Sequence, residues 1–264
     1  MSDIASFRTM LDDLAAKGTS VDILDGWAQG RALYGGLVAG VAAEAMAMAV
    51  NPRRPIRTLL GNFVAPAPVG TLGVKTDILR EGRAVVQTRT DIMAGDQVCF
   101  AATAAFGDDR PATNVAPEFP FDAPEKTSVP LMNAGNRPLP GFLDNFDVHW
   151  TGGGIPTSNS KDRKTGMWVR HKCDLSDYPV AKIVGIADMP PPVMMSHFDR
   201  QIMASSMSWS LEFVVPPERV ESDWFYLDYT LEAASGGYSQ QSGLIFSEDG
   251  TLVALSRQCM VYFE

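Results

Sequence analysis

Positive charge is scarce in this chain. Thirty-one acidic residues face 22 lysines and arginines, a formal net charge of −9 over 264 residues. That balance argues against general affinity for nucleic acid or for an anionic membrane surface. An anionic small ligand needs only a local basic patch and stays admissible. Cysteine is scarcer still. Cys99, Cys173 and Cys259 stand far apart, with no CxxC and no metal-ligand spacing. Cys99 and Cys259 lie in apolar strand-like runs, where free thiols are common, and a reduced, cytoplasmic setting fits them. Histidine is limited to His149, His171 and His197, again without metal spacing. No glycine-rich phosphate loop is present, since GRALYGG at 30–36 is not GxGxxG. The start, SDIASFRTMLDDLAAKG, lacks the basic residues and apolar run of a signal peptide. It reads as a short amphipathic surface helix ending near Gly18. No metal and no cofactor are expected.

What is present is an apolar run of small residues. From Ala32 to Val50 the only charge is Glu44, and the run opens on Gly35-Gly36. A surface helix needs a polar face, and this one has almost none. It is at the short limit for a membrane span and carries three glycines and a carboxylate, so burial inside the protein is expected.

A repeat shows what buries it. FVAP at 63–66 and FVVP at 213–216 each close a strand-like run, and each is followed by three more. TLGVKTDILR, AVVQTRTDIM and QVCFAATAAF follow the first; DWFYLDYTLEAA, GYSQQSGLIFS and TLVALSRQCMVYF follow the second. The joints are short, and SEDG is a strong hairpin signal. Each half therefore reads as a four-strand antiparallel meander. Before each meander stand a strand and a helix: VDILDGW and the glycine-led helix in the first half, then FDVHW, MWVRHKCDL and YPVAKIVGIADMPPPVMM in the second. The three prolines break that last helix. The Pro-, Asn- and Gly-rich seam predicts an N-terminal unit over 1–110, a linker over 111–145 and a C-terminal unit over 146–264. A curved antiparallel sheet wrapped around one central helix would hide that helix on nearly every side. The expected fold is α+β, a double hot-dog, with the two copies joined edge strand to edge strand.

The stretches YGGLVAGVAAEA (34–45), FVAPAPVGTLGVKTDILREGRAV (63–85), GMWVRH (166–171), GIAD (185–188), SLEFVVPP (210–217) and SEDGTLVALSRQ (247–258) resemble the acyl-CoA thioesterase II family from about residue 20 onward. The resemblance implies hydrolysis of fatty acyl-CoA to acid and CoA, without metal or covalent intermediate. In that family an Asp, a Thr or Ser, and a Gln from the second copy hold the attacking water. Gln258 falls on the family glutamine. The family aspartate position is Ser208, and the family hydroxyl falls near Glu232, or on Ser235 after a shift. Glu232 would then be the acid, with Ser208 or Ser235 as helpers.

The residues themselves allow these roles. By strand alternation Gln258 shares a face with Ser256, Met260 and Tyr262, and a buried amide there needs a partner. Gly35 and Gly36 would let a thioester approach the helix N-terminus, whose N–H groups suit a developing oxyanion. Glu44 is a rival acid on the helix. The basic clusters Arg53, Arg54, Arg57 and Lys161, Arg163, Lys164 are candidates for a CoA path. Two other readings stay open: a non-catalytic acyl-CoA-binding protein, and a hot-dog hydratase or dehydratase using His197. A homo-oligomer, such as a dimer, is compatible with the pattern.

Overall fold

The computed structural model describes residues 6–132 and 139–264. The beginning of the expected N-terminal helix, residues 2–5, and linker residues 133–138 lie outside that range. Helix α1 (Phe7–Lys17) starts on Ser6, whose hydroxyl accepts from the Thr9 N–H, and stops at Gly18 with φ +74°. Both ends follow ordinary capping rules. The helix is less superficial than its sequence implies, because Phe7, Met10, Leu11 and Leu14 are fully buried.

The first half continues with β1 (Ser20–Ile23), a small hairpin of β2 (Ala28–Gln29) and β3 (Ala32–Leu33), and α2 (Gly35–Ala49). It closes with β4 (Ile56–Phe63), β5 (Gly70–Glu81), β6 (Val85–Ala94) and β7 (Gln97–Gly107). The second half holds β8 (Phe146–Gly152), β9 (Lys164–His171), α3 (Pro179–Ala187), β10 (Met203–Phe213), β11 (Phe225–Ser235), β12 (Tyr238–Ser247) and β13 (Leu252–Phe263). Short 3₁₀ turns at Lys126–Ser128, Gly141–Asn145, Val193–His197 and Pro217–Arg219 join them.

One eleven-stranded antiparallel sheet contains every long strand, in the order β1-β5-β6-β7-β4-β10-β13-β12-β11-β9-β8. The halves meet where β4 pairs with β10, Leu60 opposite Ser210. The order corrects the expected four-strand meanders. In each half only three strands meander, and the strand ending in FVAP or FVVP folds back beside the last of them, β4 on β7 and β10 on β13. The links after β4 and β10 explain this. VAPAPV and VVPPERV carry two prolines each, so neither can make the tight hairpin that adjacent pairing requires.

The sheet wraps around α2 and α3, which lie side by side and antiparallel. Twelve of the fifteen α2 residues are buried, as a helix without a polar face must be. Glycine permits the close approach. A Cβ on Gly36 would stand 2.7 Å from the Gly185 carbonyl oxygen and 2.6 Å from the Tyr34 ring. The linker crosses the outer face of the second half. Phe121 packs among Trp168, Tyr226 and Phe246, and the Trp168 indole donates to the Pro124 carbonyl at 2.8 Å.

His171 closes the core beneath α3. Its ring packs on Phe7 and Phe146, and its Nε2 lies 3.0 Å from the Lys182 carbonyl oxygen. Burial away from water disfavours the imidazolium and pushes the pKa down from 6.5 to about 4. The sign follows directly. Between pH 6.5 and 4 the unfolded chain binds a proton at this histidine and the folded chain does not, so its contribution to stability falls as pH falls through that window. A shift of this size corresponds to about 3 kcal/mol. His171→Gln, which can keep the bond to Lys182, should gain stability relative to the wild type on acidification from pH 7 to 4, read by urea unfolding at fixed ionic strength. An unchanged difference across that range would contradict the assignment.

Candidate active site

The two helices exchange carboxylates at their ends. Asp188 caps the C-terminus of α3 and accepts the Gly36 backbone N–H at the start of α2. Glu44, late in α2, accepts the Ala181 N–H at the start of α3 at 3.3 Å. Each acid stands the same distance past its own tyrosine cap, Tyr34 or Tyr178. They are therefore equivalent positions of the duplication, each held by the positive end of the other helix.

Around Asp188 lies a cleft of ≈ 190 Å³ at the junction of the halves. Gly35, Val38, Phe63 and Cys99 line it from the first half, and Asp188, Ser205 and Ser206 from the second. The Asp188 carboxyl is packed by protein on nearly all sides but keeps an edge on this cleft. Gln258 donates from Nε2 to Asp188 Oδ1 at 2.7 Å. The Tyr34 hydroxyl donates to the Gly185 carbonyl at 2.7 Å, and the Tyr229 hydroxyl donates to the Ala187 carbonyl. The last turn of α3 is thereby held from both sides.

Desolvation dominates the protonation of Asp188. It raises the carboxyl from 3.8 to about 7, and the bonds from Gln258 and Gly36 offset only part of that rise. Gly35 makes the arrangement sterically feasible. A Cβ there would lie 2.6 Å from Asp188 Oδ2 and 3.0 Å from the Phe63 ring.

The residues expected from sequence separate into two groups. Gln258 is buried on the inner face of β13 with Ser256, Met260 and Tyr262, and meets Asp188. Gly35 and Gly36 open the first turn of α2; Gly35 lines the cleft, and the Gly36 N–H is bonded to Asp188. Glu232, Ser208 and Ser235 are exposed to solvent. Glu232 accepts from the Ser242 hydroxyl on the outer side of the sheet. Ser208 sits opposite Cys259 and Asn62, past a register shift between Ser206 and Ser208. Ser208 alternates outward beside buried Trp209, and the extra residue before it brings Ser206 to the cleft. Asp188 itself was present in GIAD, and the signal that marks it is the tyrosine register that pairs it with Glu44.

The remaining candidates have other partners. Arg53 Nη2 bonds Glu44 Oε1 at 2.8 Å, Arg54 pairs with Asp108, Arg57 with Asp109 and Lys164 with Asp228. Arg163 donates to the carbonyls of Leu231 and Glu232, and Lys161 reaches the His197 carbonyl at 3.4 Å. His197 Nδ1 lies 3.3 Å from the Ser196 hydroxyl. Among the described residues no group of three or more His, Cys, Asp or Glu could hold a metal ion, and no helix is long and apolar enough to cross a membrane.

The duplicate position around Glu44 has a different composition. The strand position equivalent to Gln258 is Ala104, which pairs with Leu59 as Gln258 pairs with Trp209. Glu44 is fully buried and tied to Arg53. The amide–carboxyl pair therefore occurs on one side of the duplication.

Two predictions test the local geometry. Gly35→Ala should displace the Asp188 carboxyl or the Phe63 ring, costing about 1–3 kcal/mol of stability as overpacking does; thermal unfolding unchanged within error would contradict the close contact. Asp188→Asn should stabilise the folded chain at pH 8 by about 2–4 kcal/mol, because it removes a buried charge. The folded carboxyl holds its proton up to about 7 and the unfolded one only to 3.8, so the wild type loses this stability as pH rises through that window. Denaturant unfolding at pH 4 and pH 8 distinguishes the two, and equal differences at both pH values would refute the raised carboxyl. The His171 and Asp188 contributions oppose each other over nearly the same range, so the wild type should be flatter than either variant.

Known proteins match this architecture. The family model for the acyl-CoA thioesterase N-terminal domain matches residues 23–107, and that for the acyl-CoA thioesterase C-terminal domain matches residues 116–262. A search of curated proteins by sequence gives no match. Among solved structures, a conserved protein of unknown function with a hot dog fold from Alicyclobacillus acidocaldarius superposes with TM-score 0.84 at 22% identity, covering 96% of this chain and 98% of that one. The acyl-CoA thioesterase II TesB2 of Mycobacterium marinum gives 0.68 at 22%, covering 88% and 90%. The tesB protein of Mycobacterium avium subs paratuberculosis gives 0.74 at 19%, covering 96% and 100%. At these identities the structures establish the double hot-dog fold, and the two domain models establish that the chain belongs to the acyl-CoA thioesterase family.

Proposed function

We propose that this chain is a working acyl-CoA hydrolase in which Asp188, not an acid on β10 or β11, activates the attacking water. The observation that carries the reading is the Asp188–Gln258 pair on the cleft, with the carboxyl raised to about 7. A base of that strength is poised near neutral pH, where general-base catalysis works best. In the forward step, water gives a proton to the Asp188 carboxylate while its oxygen bonds to the thioester carbonyl carbon. The oxyanion lies at the start of α2 beside Gly35, against first-turn N–H groups other than that of Gly36, which Asp188 holds. Collapse of the tetrahedral intermediate breaks the C–S bond, and the departing CoA thiolate recovers the proton from Asp188. The acid is then released and the carboxylate restored, without metal or covalent intermediate.

Gln258 acts on this reading as a donor to the carboxylate. Ser206 supplies a hydroxyl at the cleft, the place first assigned to Ser208. Glu232 and Ser235, exposed on the outer side, are not given a role. The chain is read as a cytoplasmic enzyme of fatty acid metabolism, divided at 1–110, 111–145 and 146–264, and able to form a homo-oligomer. Asp188, at the cleft with Gln258, offers the acid that position 208 lacks, which favours hydrolysis over acyl-CoA binding without turnover. The hydratase reading requires an acid–base pair at His197, whose ring nitrogen instead lies beside Ser196.

The test is CoA release from acyl-CoAs of several chain lengths, followed by free-thiol detection. Asp188→Asn should lower kcat by roughly 10²–10⁴-fold with KM little changed, and the wild-type kcat/KM should fall as pH drops below about 7. Hydrolysis by wild type that Asp188→Asn leaves intact would sink the assignment of the base. No CoA release from any chain length would sink the hydrolase reading.

A further inference from the structure

A primary amide has two ends of opposite polarity, and the hydrolase reading needs Gln258 to present the correct one. Its Nε2 must face Asp188. If Oε1 faced the carboxylate instead, two acceptors would meet and the carboxyl would be driven toward its protonated, inactive form. Nothing in the Gln258 backbone decides between these orientations, because the two differ by a half-turn about χ3.

The residue that decides is directly across the strand pair. Gln241 on β12 stands opposite Gln258 on β13 and is equally buried, at 2% exposure. Gln241 Nε2 donates to Gln258 Oε1 at 2.9 Å. Gln241 is oriented in turn by the backbone, since its Oε1 accepts the Val193 N–H at 3.1 Å. An N–H can only donate, so the direction of the whole series is fixed at its start: Val193 N–H to Gln241, Gln241 to Gln258, Gln258 to Asp188. We propose that Gln241 is a positioning residue for thioester hydrolysis, locking the Gln258 amide with its NH₂ toward the Asp188 carboxylate.

The duplicate half offers a contrast. The position equivalent to Gln241 is Thr88, which faces Ala104. Its hydroxyl lies 3.5 Å from the Ala104 carbonyl oxygen, so the strand pair there carries no amide series. The inference rests on the proposed role of Asp188. Other titratable groups near the carboxyl are Tyr34 from the start of α2, Tyr229 from β11 and the Cys99 thiol across the cleft from β7. Burial raises all three, so they stay neutral through the working range.

Gln241→Glu and Gln241→Leu separate positioning from packing. Glutamate is nearly isosteric, and above its own midpoint, which burial raises, its carboxylate only accepts. With one oxygen on the Val193 N–H, the other needs a donor, so the Gln258 amide must turn and direct Oε1 at Asp188. Leucine keeps the volume, adds no charge and leaves Gln258 free to turn. Two readouts are taken on each folded variant: the pH dependence of kcat/KM, and the midpoint of the Asp188 carboxyl ¹³C shift, assigned with Asp188→Asn.

The proposal expects both the acid limb and the NMR midpoint to move up by about one pH unit or more in Gln241→Glu. A smaller shift in the same direction is expected in Gln241→Leu, with kcat at pH 7 reduced at least tenfold in the glutamate variant. A midpoint that moves only in Gln241→Glu would be an added charge acting alone and would overturn it. So would midpoints unmoved in both variants, whatever their thermal stability. Because the NMR arm needs no turnover, an inactive wild type would defeat the hydrolase reading and still leave the role of Gln241 to be decided.

Discussion

A carboxylate from each central helix rests against the first turn of the other, and the cleft takes its shape from that exchange. Two helices with opposed dipoles lie antiparallel with glycine at the contact, Gly36 against Gly185. Close approach brings the end of α3 to the beginning of α2, so Asp188 meets the Gly36 N–H. A bulkier contact would separate the helices and expose the carboxyl to water. Its proton affinity would then return to that of an ordinary aspartate. The small residues of α2, which first stand out as an apolar curiosity, thus set the chemistry of a residue more than a hundred positions away.

Two copies in one chain make asymmetry available. A symmetric dimer of single hot-dogs must repeat any change at both equivalent places. Here the copies have diverged at matched positions. Around Asp188 stand Gln258, Gln241 and a cleft; around Glu44 stand Ala104, Thr88 and the guanidinium of Arg53. Glu44 retains the structural part of the arrangement, accepting the Ala181 N–H and tying α2 to α3. Asp188 keeps the same structural bond and adds an accessible edge. Burial raises both carboxyls, but Arg53 counters the rise at Glu44, whereas Gln258 brings no charge to Asp188.

Much of the fold was legible because it rests on periodicity and repetition. The doubled FVAP and FVVP runs, the all-apolar helix and the inward face of Gln258, Met260 and Tyr262 each follow from spacing that a single sequence displays. The sheet order was not legible in the same way. Alternation marks which face a strand buries but not which neighbour it pairs with, and the proline-bearing links after β4 and β10 decided that. Ser208 came from the family resemblance, whereas alternation with buried Trp209, Leu211 and Phe213 turns it outward, and no residue type announces the bulge that brings Ser206 to the cleft instead. Asp188 and Gln241 depend on contacts between elements. Only setting Tyr34 and Tyr178 in register would have matched Asp188 with Glu44. Gln241 became meaningful only once β12 was known to lie against β13.

The structure also shows why the amide sits on a strand while the acid sits on a helix end. A helix terminus supplies the N–H groups and dipole that tolerate a partly buried carboxylate. It holds a carboxyl in place but cannot orient an amide, whose two ends occupy nearly the same volume. Orientation requires a directional partner of fixed polarity, and a backbone N–H supplies one. In this chain that N–H is Val193, just after the three prolines that break the helical run following α3. Those prolines have no N–H of their own to offer, and the N–H of Met189, between Asp188 and the prolines, is already bonded to the Ile186 carbonyl, so the polarity that reaches Asp188 begins at Val193.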